Sequence, residues 1–282
     1  MRTSPPQSSQ PKRLGRSICG WLTALALLLP SMAQAQYGAP EIDARAVGEK
    51  YHVEVSGALW NPDVFGVISS EQFGQLGTKI DFTQDLSYKK TRFKDLKIVL
   101  RPSRKSKFRI QHTPIRYDAE TILKREIKFN GQKFPLALPI NSEFNWNVWR
   151  IGYEYDFLYK PRGYVGLLLE GRHTEMTAAL NSPLTNEFSS TKAPLPAIGV
   201  TGRAYVLPEV AINFEVTGFK LPNIDPKYQA NYYDWDINGT INVTNYVGLQ
   251  VGWRRMTTFL DVKNDTGDLK FQGLWFGAAL RY

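Results

Sequence analysis

From Trp149 onward the chain alternates, residue by residue, between apolar and polar side chains. Trp149, Ile151, Tyr153, Tyr155 and Phe157 share one parity, while Arg150, Glu154 and Asp156 hold the other. The same period of two recurs in Val165, Leu167 and Leu169, then in Ile198, Val200, Ala204 and Val206, and again from Val210 to Val216. Tyr233, Trp235, Ile237, Ile241 and Val243 follow, then Val247, Leu249, Val251 and Trp253. Earlier in the chain it runs through Tyr51, Val53, Val55, Gly57 and Leu59, then Leu96, Ile98 and Leu100, then Phe108 and Ile110. Successive side chains of a strand point to opposite faces, so each stretch predicts a strand with one apolar face. The final stretch, Leu269 to Tyr282, puts Leu274, Phe276, Ala278, Leu280 and Tyr282 on one face. Gly273, Trp275, Gly277, Ala279 and Arg281 take the other.

The connections alternate in length. Tight turns are expected at Pro102–Lys105, Lys160–Gly163, Leu207–Glu209 and Thr244–Asn245. Longer loops are expected at Trp60–Lys90 (with a short strand extension around Val64 to Ile68), Asp118–Glu143, Asn181–Lys192, around Pro222 and Pro226, and at Asn264–Asp268. Within the second of these, Asn130-Gly131 is a two-residue hairpin signal, expected to tip a surface protrusion. The total is about ten strands, with eight or twelve as alternatives. Their length exceeds the roughly 5 to 6 residues usual in soluble proteins. It suits the roughly 9 to 11 residues a tilted strand needs to cross a bilayer.

Alternation by itself fits a soluble barrel, apolar inside, and a membrane barrel, apolar outside. Tyr159, Tyr164, Tyr205, Tyr246 and Tyr282 lie near the short turns, the placement of an interfacial aromatic girdle. The stretch Leu269–Tyr282, with its terminal aromatic residue, resembles the closing strand of bacterial outer-membrane β-barrels. That resemblance implies an all-β, transmembrane, antiparallel up-and-down β-barrel in the outer membrane, with tight turns in the periplasm and long loops outside. It also implies a monomer in contact with outer-membrane lipid and lipopolysaccharide, and recognition of Leu269–Tyr282 by the barrel-assembly machinery.

The N-terminus supports export. The apolar run Trp21–Met32 follows Arg2, Lys12, Arg13 and Arg16 and precedes Ala33-Gln34-Ala35, the layout of a secretory signal peptide cleaved near Ala35. The expected organisation is signal peptide 1–35, periplasmic lead-in 36–49 and barrel 50–282. Cys19 is the only cysteine, so the exported chain has neither disulfide nor thiolate chemistry. Net charge is +9 over the chain; the four basic residues of the signal leave +5. On an exported protein that excess favours phosphate-bearing lipid or polymer as partner over nucleic acid.

On the polar parity, Arg150, Glu154, Asp156, Glu170, Arg172, Arg203, Glu215, Asp234, Asp236 and Arg254 are expected to line the lumen as a charge cluster, structural or pore-lining. Arginines 150, 172, 203 and 254 are expected to pair with Glu154, Asp156, Glu170 and Glu215 on neighbouring strands. Catalytic constellations do not emerge. Lipid A deacylases use a His and a Ser two apart on a lipid-facing strand, whereas His173 has Glu175 there and His112 has Pro114. Omptin proteases combine paired acids with an Asp-His pair near the outer rim. Asp234-Trp235-Asp236 resembles the acids, but the chain has no Asp-x-His. No cofactor or metal motif is present. Lys89, Lys90, Arg92 and Lys94, and Lys124, Arg125, Lys128 and Lys133, are candidates for lipopolysaccharide phosphates; Arg104, Lys105, Lys160 and Arg162 would meet inner-leaflet lipid. The expected function is a non-enzymatic surface barrel, structural or binding through its loops. The alternatives are a narrow channel for small polar solutes and a membrane hydrolase with an unrecognised site.

Overall fold

The computed structural model describes residues 46–70, 77–221, 228–262 and 265–282. The signal peptide, Cys19 and most of the lead-in lie outside those residues, as do Pro222, Pro226 and Asn264. The described elements are all strands: β1 (Val53–Ser70), β2 (Ile80–Asp81), β3 (Phe93–Leu100), β4 (Ser106–Ile122), β5 (Ile127–Phe129), β6 (Gln132–Phe134), β7 (Pro139–Lys160), β8 (Gly163–Asn181), β9 (Asn186–Tyr205), β10 (Val210–Lys220), β11 (Tyr228–Asn242), β12 (Val247–Val262) and β13 (Asp265–Arg281). Ten of them form one antiparallel wall, each beside its neighbour in the chain, with β2 a short addition to β1. Pairing of β1 with β13, from Glu54↔Arg281 to Ser70↔Asp265, closes the wall into a barrel. The closed wall leaves no sheet edge along this seam.

The strands run further than their alternation suggested. β7 has 22 residues and β8 has 19, about twice what a bilayer requires. The reason is a change of phase within each strand. In the lower part of β7, Arg150, Glu154 and Asp156 are buried while Ile151, Tyr155 and Phe157 are exposed. In its upper part Phe144, Trp146 and Val148 are buried, and Asn141, Asn145 and Asn147 lie on the outer parity. β13 does the same: Leu269 and Phe271 are inside, whereas Leu274, Phe276 and Leu280 are outside. β4 switches between Thr113 and Ile115, both inward and both fully buried. The lower half is therefore polar inside and apolar outside, and the upper half is the reverse. Both readings of the alternation hold, in different halves of one barrel.

The apolar belt circles the lower half. Ile151, Leu169, Ile198, Ile212, Ile237, Leu249 and Phe276, from seven strands, are each about half exposed. A continuous apolar band of that extent is stable against lipid, not water. Of the tyrosines expected in its lower girdle, Tyr246 and Tyr282 are exposed, but Tyr164 and Tyr205 point inward. Their parity is that of Arg172 and Arg203, which decides their side.

The expected long loops are correspondingly shorter. Trp60–Ser70 belongs to β1, Asp118–Ile122 to β4 and Pro139–Glu143 to β7. The β8–β9 connection is only Ser182–Thr185, and β13 begins at Asp265. β9 pairs with β10 only from Ile198 to Tyr205. Above that point it has β8 as its strand partner and carries Pro194 and Pro196. Proline, lacking an N–H, suits such a position.

The Asn130-Gly131 turn joins β5 to β6 as the dipeptide predicts, with φ of 50° and 78° at its two residues. It does not protrude. Ile127, Phe129 and Phe134 are buried in the upper core beside Phe82, Phe144 and Trp146, so the hairpin folds down across the barrel mouth. Three apolar residues on so short a hairpin cannot be left in water. Lys128 N–H donates to Thr78 Oγ1 at 2.9 Å, Thr78 N–H donates to the Lys128 carbonyl at 2.8 Å, and Asn130 Nδ2 reaches Glu187 at 2.9 Å.

Candidate functional site: the charged interior and its two closures

Inward-facing residues of the lower half form a lattice of opposite charges. Its centre is Arg150 on β7, whose guanidinium lies 2.9 Å from Glu170, 2.6 Å from Glu215 and 3.2 Å from Asp234. Each of those carboxylates has a second cation. Glu170 takes Arg172 at 2.7 Å, Asp234 takes Arg254 at 2.7 Å, and Glu215 takes Arg109. Arg254 also reaches Asp95 at 3.2 Å, while Arg172 packs its guanidinium 4.0 Å from the Tyr232 ring and bonds the Thr217 hydroxyl. Below this layer Lys107 is buried between Glu154 at 2.6 Å and Asp156 at 2.9 Å, with the Tyr164 ring 3.4 Å away.

Asp156 faces inward on the same parity as Arg150 and Glu154. The β7–β8 register shifts between Tyr155 and Leu158, and the Asp156 carboxylate packs against Gly166. A Cβ at Gly166 would stand 2.6 Å from the Asp156 carboxylate, so this close approach requires glycine. Asp236 is the exception in the cluster: its partners are neutral, Asn238 at 2.6 Å and Trp275 Nε1 at 2.5 Å. Asp234 and Asp236 thus sit deep in the barrel beside Arg254, not at the rim.

Arg254, held by Asp234 and Asp95, departs from its expected partners, and so does Arg203. It bonds Glu49 at 2.6 Å, as do Arg101 at 3.2 Å and the Tyr205 hydroxyl at 2.8 Å. Glu49 belongs to the segment 46–52, which crosses the tight-turn end as a strap. Val47 N–H donates to Pro208 O at 2.8 Å, Gly48 N–H to Asn245 Oδ1 at 3.2 Å, and Asn242 Nδ2 to Val47 O at 2.8 Å. The part of the lead-in described is therefore built into the barrel floor. Burial pushes the Glu49 carboxyl up, but the charges of Arg203 and Arg101 outweigh it and hold the group down at about 2, below its usual 4.5. A depressed carboxyl stabilises above its unfolded pKa and stops doing so as pH falls through the folded one. The protection factors of Val47 and Gly48 against hydrogen exchange are accordingly expected to fall as pH drops from about 4.5 to about 2, and in Glu49→Gln to be low already at neutral pH. Unchanged protection in both cases would remove Glu49 from the strap's anchorage.

The lattice is electrically neutral. Lys97, Arg101, Lys107, Arg109, Arg150, Arg172, Arg203, Arg254 and Arg281 face Glu49, Glu54, Asp95, Glu154, Asp156, Glu170, Glu215, Asp234 and Asp236. Sequence reading named ten of these eighteen and missed eight. Lys107, Arg109, Asp95 and Lys97 carry the same signal as the others, alternating with Phe108, Ile110, Leu96 and Ile98. Glu49 precedes the first strand and has no local signal. A cavity of about 100 Å³ remains beside Lys97, Asn213, Asn238 and Gln250, room for a few waters.

The opposite closure is apolar. Trp60, Tyr117, Phe144, Trp146 and Phe271 fill the barrel above the lattice, and Phe82, Phe129 and Phe134 pack over them. Ring centroids lie 5.5 Å apart for Trp146–Phe271 and 4.8 Å apart for Phe82–Phe144.

The remaining candidates lie apart from the interior. His112 stacks on Trp149 with centroids 4.1 Å apart on the outer face, and His173 is Trp149's neighbour on β8. Glu175, two residues above His173, is held by Lys192 at 2.8 Å. In the basic clusters, Lys90 bonds Asp63 at 3.2 Å and Arg125 bonds Asp85 at 2.6 Å. The hydrogen bonds from Arg125 keep the Asp85 carboxyl below its ordinary range, against the opposing effect of burial. No grouping of three metal-ligating side chains occurs among the described residues.

No protein-family profile and no curated protein matches the sequence. Solved structures do match. The outer membrane protease OmpT from Escherichia coli aligns over 82% of this chain and 96% of its own, at 11% identity and a TM-score of 0.54. Ail, the attachment invasion locus protein of Yersinia pestis, aligns over 82% and 99% at 10% identity and a TM-score of 0.35. The fold is that of the outer-membrane β-barrels. At this identity the likeness to OmpT extends to architecture and carries no chemistry. In such a barrel the apolar belt is the part that meets lipid.

Proposed function

We propose that the chain is a sealed, non-enzymatic barrel of the outer membrane that serves the cell envelope or binds partners through its raised half. The observation that carries this reading is the double closure: a neutral ion-pair lattice with its strap below, and an aromatic core under the β5–β6 hairpin above. Charges committed to each other in pairs do not present a lined path to a solute, and a packed aromatic core excludes water. Signal cleavage near Ala35, tight turns in the periplasm and a monomeric state complete the proposal. Assembly through Leu269–Tyr282 belongs to it as well, because this strand makes the closing seam with β1.

Reconstitution in planar bilayers tests it. The folded barrel, recognised by its shift in gel mobility on heating, is expected to give no stepwise ion conductance. Discrete steps from such a preparation would move the narrow-channel reading ahead. The barrel is expected to show no lipid or peptide hydrolysis for His173→Ala to remove, since the position two residues on from His173 is Glu175, tied to Lys192, and not a serine. Activity lost with that substitution would restore the hydrolase reading.

A further inference from the structure

A cavity of about 60 Å³ remains in the upper core, between β8 and β9 on one side and β1, β12 and β13 on the other. Its walls are apolar, built from Phe129 of the hairpin, Phe144, Met176, Ala178, Leu260 and Leu269. Its rim is polar. Asp265, on the inward parity of Leu269 and Phe271, reaches across to β9, where its Oδ2 accepts from Ser189 Oγ at 2.8 Å and Thr191 Oγ1 at 3.2 Å. Glu187, two residues from Ser189 on the same face of β9, accepts from Asn130 Nδ2 at 2.9 Å. Neither carboxylate has a lysine or arginine within salt-bridge distance among the described residues, the hairpin's Lys128 and Lys133 included. Lys192, next along β9, faces outward and is held by Glu175. Ser70, 3% exposed, also lines the cavity, and its hydroxyl has no partner among the described residues.

Two residues of strand span roughly 6.5 to 7 Å, which sets the spacing between Glu187 and the Asp265–Ser189 contact. Two carboxylates so spaced, given only neutral donors and set at an apolar hollow, suit two cationic nitrogens joined by a short apolar chain. Each carboxylate already has one oxygen engaged, which favours an ammonium over the two-pronged grip of a guanidinium. A bare metal ion would answer the charge and leave the hollow unfilled. At about 60 Å³ the cavity is well below the roughly 150 Å³ that admits a benzene ring, so it takes a methylene chain and excludes an aromatic amine. We propose that this cavity binds a linear aliphatic diamine or polyamine, its ammonium ends on Asp265 and Glu187 and its methylenes against Phe129, Ala178 and Leu260. Such a site would serve a sealed barrel and a conducting one alike.

Isothermal titration calorimetry of the full barrel in neutral detergent, with putrescine as the ligand, tests the site. Saturable binding is expected, about tenfold or more tighter than that of n-butylamine, which has the same chain and one charge. Butanediol, with the chain and no charge, and benzylamine, with a ring, are expected not to bind. Asp265→Asn and Glu187→Gln should each weaken putrescine about tenfold or more, and either stands in for the other should one misfold. Ala178→Leu, which keeps both carboxylates and fills the hollow, is expected to lose as much. Asp118→Asn/Glu120→Gln, which removes two acids from the outer wall, should stay within about twofold of the parent. No saturable binding by the parent, or n-butylamine binding as tightly as putrescine, would overturn the proposal. So would an outer-wall loss equal to that of Asp265→Asn, or an Ala178→Leu barrel that binds like its parent.

Discussion

Arg150→Ala is expected to destabilise the barrel by about 3 to 5 kcal/mol, the range for breaking a buried pair from one side. Arg150 holds Glu170, Glu215 and Asp234 together, and it is 3% exposed. Each carboxylate keeps a second cation in Arg172, Arg109 or Arg254, which places the loss toward the lower end of that range. Urea titration of the folded barrel in micelles, followed by tryptophan fluorescence, measures it. Arg150→Ala combined with Glu170→Ala should recover part of the loss, because the two share an interaction and their effects do not add. Conductance should stay at background in both, since the strap and the aromatic core remain. A variant as stable as its parent would mean that water reaches the lattice freely.

The barrel and its lower half were legible in the sequence because a membrane-level strand advertises both faces. Trp149 to Phe157 alternates without a break, and its polar parity named Arg150, Glu154 and Asp156 as inward residues. The same logic would have yielded Lys107 and Arg109, whose neighbours Phe108 and Ile110 alternate as cleanly. What was not legible is the upper half. There the inward residues become Val148, Trp146 and Phe144 and the outward ones Asn147, Asn145 and Glu143, so the pattern continues but on the opposite parity. A change of phase looks like a break in amphipathicity, and the segments beyond it read as loops. The floor was hidden for a different reason. Glu49 meets Arg101 and Arg203 through contacts between residues far apart in the chain, and nothing local in Val47-Gly48-Glu49 marks them. Tyr164 and Tyr205 lie beside turns but on the inward parity, and parity, not nearness to a turn, sets their side.

The phase change itself predicts a sharp dependence on depth along one strand. Ile151 and Asn145 lie on the same outer face of β7, six residues apart, on either side of the switch at Val148-Trp149. An arginine on the lipid face costs about 2 to 4 kcal/mol near the bilayer midplane and falls to about 0 to 1 near its boundary. Ile151→Arg, inside the boundary but short of the midplane, is therefore expected to lose a free energy between those two limits in lipid vesicles, and Asn145→Arg about 0 to 1 kcal/mol. The inner face should answer in the opposite sense. Trp146→Ala removes a side chain that is 1% exposed and packed on Phe271, and should cost about 3 to 5 kcal/mol. Trp149→Ala, three residues on but facing lipid, gives up a half-exposed ring and should cost clearly less. Comparable losses for Ile151→Arg and Asn145→Arg would put both positions in lipid and the bilayer boundary far above Trp149. The upper barrel would then have to be apolar on both faces, which Asn141, Glu143, Asn145 and Asn147 contradict. The outcome consistent with the strand is a loss that falls steeply between Trp149 and Asn147.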